Sequence, residues 1–79
     1  MNELNLTNCV KNVSYKIKDI CLSNNDIIKL LSNLGIKVNE EIVVLSSNYC
    51  KKSFLVNVCG INYALDKKIC GGIIVEWKR

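Results

Sequence analysis

The chain has no histidine. It therefore lacks the one side chain whose ordinary pKa suits proton transfer near neutral pH, and the usual mixed cysteine–histidine metal sets cannot be assembled. Arginine occurs once, as Arg79, and aromatics make up 6% of the residues. Nucleic-acid binders cluster positive charge and interleave it with arginines or aromatics; here the net charge is a modest +4 and the lysines are scattered from Lys11 to Lys78, so no nucleic acid is expected as a partner. Proline is absent. No apolar run approaches the roughly 20 residues of a membrane span. The start, Met1-Asn2-Glu3-Leu4-Asn5-Leu6, has neither the basic opening nor the apolar core of a secretory signal. A cytoplasmic protein without membrane insertion is the expectation.

Catalytic signatures are missing as well. The seven carboxylates, from Glu3 to Glu76, fall at capping, turn or outward strand positions with no evident pair, and no phosphate-binding or dinucleotide fingerprint occurs. A cysteine nucleophile without a partner base is a weak proposal. The reading is of a protein that is not an enzyme, has no cofactor, and acts by binding.

What is present is enough to fold. Seventy-nine residues make one domain, 1–79, with 49% hydrophobic and 23% charged residues, as in an ordinary globular chain. A chain this short buries only about 60–65% of its unfolded surface, so the core is small. The five cysteines are odd in number and spaced by 12, 29, 9 and 11 positions; with no secretory signal this argues against disulfides and offers no C-x-x-C pair for a metal. Cys21, Cys59 and Cys70 are expected to be buried as small apolar residues, and Cys50, in a polar loop, to be the reactive thiol.

Residues 13–21 alternate, with Val13, Tyr15 and Ile17 against Ser14, Lys16 and Lys18, which predicts a half-buried strand. Asn24 or Asn25 can cap a helix over about residues 25–34. Ile27, Leu30, Leu31 and Leu34 then form one apolar stripe expected in the core, and Gly35 followed by Ile36 suits a left-handed helix end. Asn39 is the candidate for positive φ in the turn at 37–40. Residues 41–45 read as a strand covered on both faces, 46–53 as a polar loop, and 54–59 and 61–65 as a hairpin turning near Gly60. One turn of 3₁₀ helix at 66–69, a chain break at Gly71-Gly72, and a last alternating strand through Ile73, Val75 and Trp77 complete the pass. Five short strands and one helix predict an all-β fold, a small barrel of about five strands with the helix plugging one end.

Leu30-Leu31-Ser32-Asn33-Leu34-Gly35-Ile36, a turn, and Glu41-Ile42-Val43-Val44-Leu45 resemble the core signature of the FeoA family, ferrous iron transport protein A. Phe54 to Gly60 is similar to the family's next strand and its glycine, Ile61-Asn62-Tyr63-Ala64-Leu65 to the strand after it, and Cys70, Ile73 and Val75 fall where the family has a small residue and its final apolar positions. The resemblance covers about residues 4–77. Val38-Asn39 stands where the family has a Pro-Gly turn, and residues 46–53 lack the family's usual glycine and proline.

The resemblance implies an SH3-like barrel in the cytosol, accompanying FeoB, the membrane ferrous-iron transporter with a cytosolic GTP-binding domain, and carrying no iron of its own. The alternatives are an SH3-like domain of a metal-dependent transcription regulator or a small nucleic-acid-binding barrel. From the residues themselves, the 46–53 loop is the candidate contact. Tyr49 offers a large amphipathic ring of the kind enriched at hot spots, and Lys51 and Lys52 set two positive charges beside it, suited to an acidic partner.

Overall fold

The computed structural model describes residues 4–48, 50 and 52–78. Strands β1 (Ser14–Ile20), β2 (Glu41–Asn48), β3 (Ser53–Val58), β4 (Ile61–Asp66) and β5 (Ile73–Trp77) form one antiparallel sheet in the order β4-β3-β2-β1-β5. Helix α1 (Asn25–Asn33) joins β1 to β2, and a short α2 (Lys67–Gly72) joins the two outermost strands. The fold is mostly β and SH3-like, as expected, with a second helix, α2, in place of the single 3₁₀ turn and break expected there.

Alternation sets the core face. Tyr15 and Ile17 of β1, Ile42 and Val44 of β2, Val56 and Val58 of β3, and Ile73 and Val75 of β5 are buried in one cluster with Leu6, Leu31, Ile36, Leu65 and Cys70. Two register shifts interrupt the ladders, one at Lys18 between Ile17 and Asp19, the other at Leu45 between Val44 and Ser46. A bulge bends its strand and raises the local twist, which curls the sheet around its apolar face. The second bulge also carries β2 on to Asn48, paired with Ser53. The long loop expected at 46–53 is therefore two strand ends with a short connection between them. Val43 and Leu45 are half-buried, not fully covered.

The helix ends follow the local chemistry. The Asn24 side chain accepts from the Asp26 and Ile27 N–H groups, capping α1. At the other end Ile36 N–H donates to the Leu31 carbonyl at 2.8 Å and Gly35 N–H to that of Ser32 at 3.0 Å, the paired bonds of a Schellman end, with Gly35 at φ +93°. Asn39 has φ 77° as expected, and Cys59 and Gly60, at φ 55° and 80°, make the two-residue turn whose twist matches a hairpin.

The α1 stripe needs correction. Leu31 is 2% exposed, but Leu30 is 57% and Leu34 36% exposed. Of the expected stripe, Ile27 and Leu31 face the core, joined by Ile36 beyond the helix end, whereas Leu30 and Leu34 lie toward the rim of that face and remain open to solvent. Cys21 and Cys59 are also exposed. Cys21 lies just past the end of β1, with its Sγ donating to Asp19 Oδ2 at 3.5 Å, and Cys59 occupies the hairpin turn, so neither side chain has a core to enter. Cys70 is buried as expected.

Candidate partner-binding site

Of the three residues proposed for partner contact, Tyr49 and Lys51 lie outside the described residues. Lys52 is exposed at φ 50°. Its carbonyl accepts from Lys67 N–H at 2.9 Å, which ties the β2–β3 connection to the start of α2. That bond continues the β3–β4 ladder by one step beyond Ser53 and Asp66 and sets Lys52 across from Lys67. Lys68 follows on the same short helix.

Asp66 caps α2: its Oδ1 accepts from Ile69 N–H at 2.8 Å. Cys70 anchors the helix from below. It is fully buried, with Sγ 3.9 Å from the Leu65 carbonyl, and burial, with smaller contributions from Asp66 and Cys9, pushes its thiol up to about 12. The outer side of α2 is left facing a cleft of about 560 Å³ lined by Lys52, Asp66, Lys67, Lys68 and Gly71. Sequence reading found Lys52 and missed Lys67 and Lys68. The signal was available, because a hairpin turning at Cys59-Gly60 pairs positions symmetrically about that turn, and the same symmetry brings 52 to 67.

A second cleft, about 690 Å³, is lined by Lys16, Asn39, Glu41, Glu76, Trp77 and Lys78. Trp77 is 59% exposed, its ring centroid 4.9 Å from that of the buried Tyr15. Lys78 Nζ lies 2.7 Å from Glu41 Oε1 and holds the Glu41 carboxyl below the usual carboxylate range. Charges of both signs alternate there. Elsewhere Tyr63 Oη donates to the Leu34 carbonyl at 3.0 Å, fastening the end of α1 to β4 and leaving Leu30 and Leu34 outward. Among the described residues no three histidine, cysteine, aspartate or glutamate side chains gather as a metal-ligating group, and no helix is long and apolar enough to cross a membrane.

The sequence profile of the FeoA domain matches residues 4–76, both helices and all of the sheet but the last residue of β5. The chain belongs to the FeoA family. Among solved structures, the FeoA-family chain is similar to iron(II) transport protein A from Clostridium thermocellum, with 23% identity and a TM-score of 0.83 over 94% of this chain and 45% of that one. It is similar to the FeoA protein of Chlorobium tepidum, with 16% identity and a TM-score of 0.86 over 96% of this chain and 71% of that one. A manganese-dependent transcriptional repressor carries the same fold at 16% identity and a TM-score of 0.84, over 96% of this chain and 37% of the repressor. These likenesses are of fold. In sequence, the aspartate carbamoyltransferase regulatory chain of Photorhabdus laumondii subsp. laumondii is 37% identical over 59 residues. The alignment takes in 75% of this chain, which spans about a third (37%) of the length of that curated relative.

Proposed function

We propose that this chain is a cytosolic accessory protein of ferrous-iron uptake that acts by protein–protein contact with the membrane transporter FeoB. The observation that carries this reading is the FeoA match over residues 4–76, which ties the fold to an iron-transport family. Its support in the molecule is a surface built for contact. Two clefts open on the sheet's ends, one basic and one centred on an exposed tryptophan, and tryptophan is among the residues enriched at binding hot spots.

The test is calorimetric titration of the purified protein into the transporter's cytosolic domain. Saturable binding is expected. No heat at any temperature, with no complex in sedimentation, would overturn the reading. The fold likeness to the manganese-dependent repressor favours a second reading, an SH3-like domain serving a metal-dependent regulator. Affinity capture that recovers a helix-turn-helix protein in place of the transporter would turn the assignment that way.

A further inference from the structure

The basic cleft beside α2 holds charge that the fold does not use. Lys52, Lys67 and Lys68 are exposed, and the one ion pair among the described residues is elsewhere, between Lys78 and Glu41. Among the described residues the only carboxylate lining the cleft is Asp66, and it is committed to capping α2. Lys52 and Lys67 stand across from one another at the end of the β3–β4 ladder, where like charges oppose pairing. Lys67 and Lys68 also open a helix, at the end where the backbone dipole favours anions over cations. Two local preferences are thus broken at one place.

A third observation is independent of charge. Gly71 lines the same cleft, yet the fold makes no demand for glycine there. Its φ is not positive, and a Cβ would meet nothing closer than Thr7 Cγ2 at 4.0 Å. Its neighbour Gly72 is different: a Cβ there would lie 2.8 Å from the Cys21 carbonyl oxygen. The missing side chain at 71 keeps the cleft floor open without serving the packing.

From these features we infer that the cleft is a docking site for an acidic segment of a partner protein, whose carboxylates meet Lys52, Lys67 and Lys68 while its backbone crosses Gly71. The inference rests on the transporter reading and adds the contact surface and the chemistry of the segment it receives. Lysine ammoniums are compact point charges that single carboxylates satisfy. The described residues lining the cleft include neither an aromatic platform for bases nor an arginine fork for phosphate, which favours an acidic peptide over nucleic acid.

The experiment uses Lys52→Glu/Lys67→Glu/Lys68→Glu and, separately, Gly71→Leu, each titrated against the transporter's cytosolic domain at about 50 mM salt, where the screening length exceeds about 10 Å. Glutamates suit the first turn of a helix, so the triple variant is expected to fold, and its thermal melt, recorded beside each titration, separates lost binding from lost folding. Binding should weaken at least tenfold in the triple variant and several-fold in Gly71→Leu, and the parent's own affinity should fall as salt is raised. A folded triple variant that binds within twofold of the parent overturns the docking site while the transporter reading stands. A parent that does not bind overturns both. Parallel titrations with a 20-nucleotide single strand and with phosphatidylglycerol vesicles separate the partner classes: tighter binding to either than to the cytosolic domain, lost in the triple variant, overturns the assignment to a protein.

Discussion

Leu31 and Leu34 are the same residue type within one turn of α1, and the structure separates their fates. Leu31 is in the core cluster; Leu34 keeps 36% of its surface and is held by backbone, through the Tyr63 hydroxyl on its carbonyl. Leu31→Ala should cost about 2–5 kcal/mol by cavity formation, Leu34→Ala below about 1 kcal/mol. Urea unfolding of the two variants checks this; equal losses would mean the helix is rotated from the orientation described. The cysteines part in the same way. Cys59 is exposed, but partial desolvation and the Glu40 carboxylate, whose Oε2 lies 3.6 Å from its Sγ, push its thiol above the ordinary value. A raised thiol pKa means less thiolate at a given pH, and thiolate is the reactive form. Glu40→Gln should therefore speed labelling of Cys59 at pH 7 to 8, while Cys70, raised to about 12, stays unlabelled until the protein unfolds. Unchanged Cys59 kinetics in Glu40→Gln would show that the carboxylate does not control this thiol.

At the scale of elements, the junction of β1 with α2 is where the fold is least forgiving. Cys21 N–H donates to the Gly72 carbonyl at 2.6 Å, and Leu22 and the Cys21 carbonyl fill the place a Cβ would take at Gly72. Gly72→Ala should destabilise by about 1–3 kcal/mol through overpacking, with Gly71→Ala close to neutral; thermal melts of the pair decide it, and a neutral Gly72→Ala would mean that the junction relaxes freely. This junction also marks where the sequence stopped being legible. Strands with clean alternation, the Asn24 cap, the Gly35 end and the Asn39 and Gly60 turns could all be read from local pattern, because each rests on chemistry within a few residues. The tail of β2 could not, since the bulge at Leu45 shifts the alternation that announces a strand. Nor could α2, because its sequence, Lys-Lys-Ile-Cys-Gly-Gly, has two glycines that argue against a helix and is held by packing of Cys70 and Gly72, not by propensity. Of the candidate site, Lys52 was legible as a loop charge; its convergence with Lys67 depends on hairpin register, a long-range property.

Across the whole molecule, the sheet's order leaves β4 and β5 as its two edges. The β5 edge is covered by the segment before β1: Asn5 bridges Ile74, and Val75 N–H donates to the Leu4 carbonyl at 2.9 Å. Asn5 shapes that segment, its Oδ1 accepting from Thr7 N–H at 2.8 Å and its own N–H donating to Asn8 Oδ1 at 2.8 Å, and the resulting turn drives Leu6 into the core at 1% exposure. A residue outside every strand and helix thus belongs to the same apolar cluster as the strand interiors. A domain of this length has on the order of 4–12 kcal/mol of stability, and truncating a buried leucine removes about 2–5 kcal/mol. Since 1 kcal/mol moves the midpoint of so small a domain by about 4–8 °C, Leu6→Ala should lower the melting temperature by about 10 °C or more. Because one cluster unites the segment with the sheet, loss of near-ultraviolet and far-ultraviolet circular dichroism should still coincide. A midpoint shift under about 2 °C, or a separate early transition in the near-ultraviolet signal alone, would mean that the leading segment is an appendage to the barrel and not part of its core.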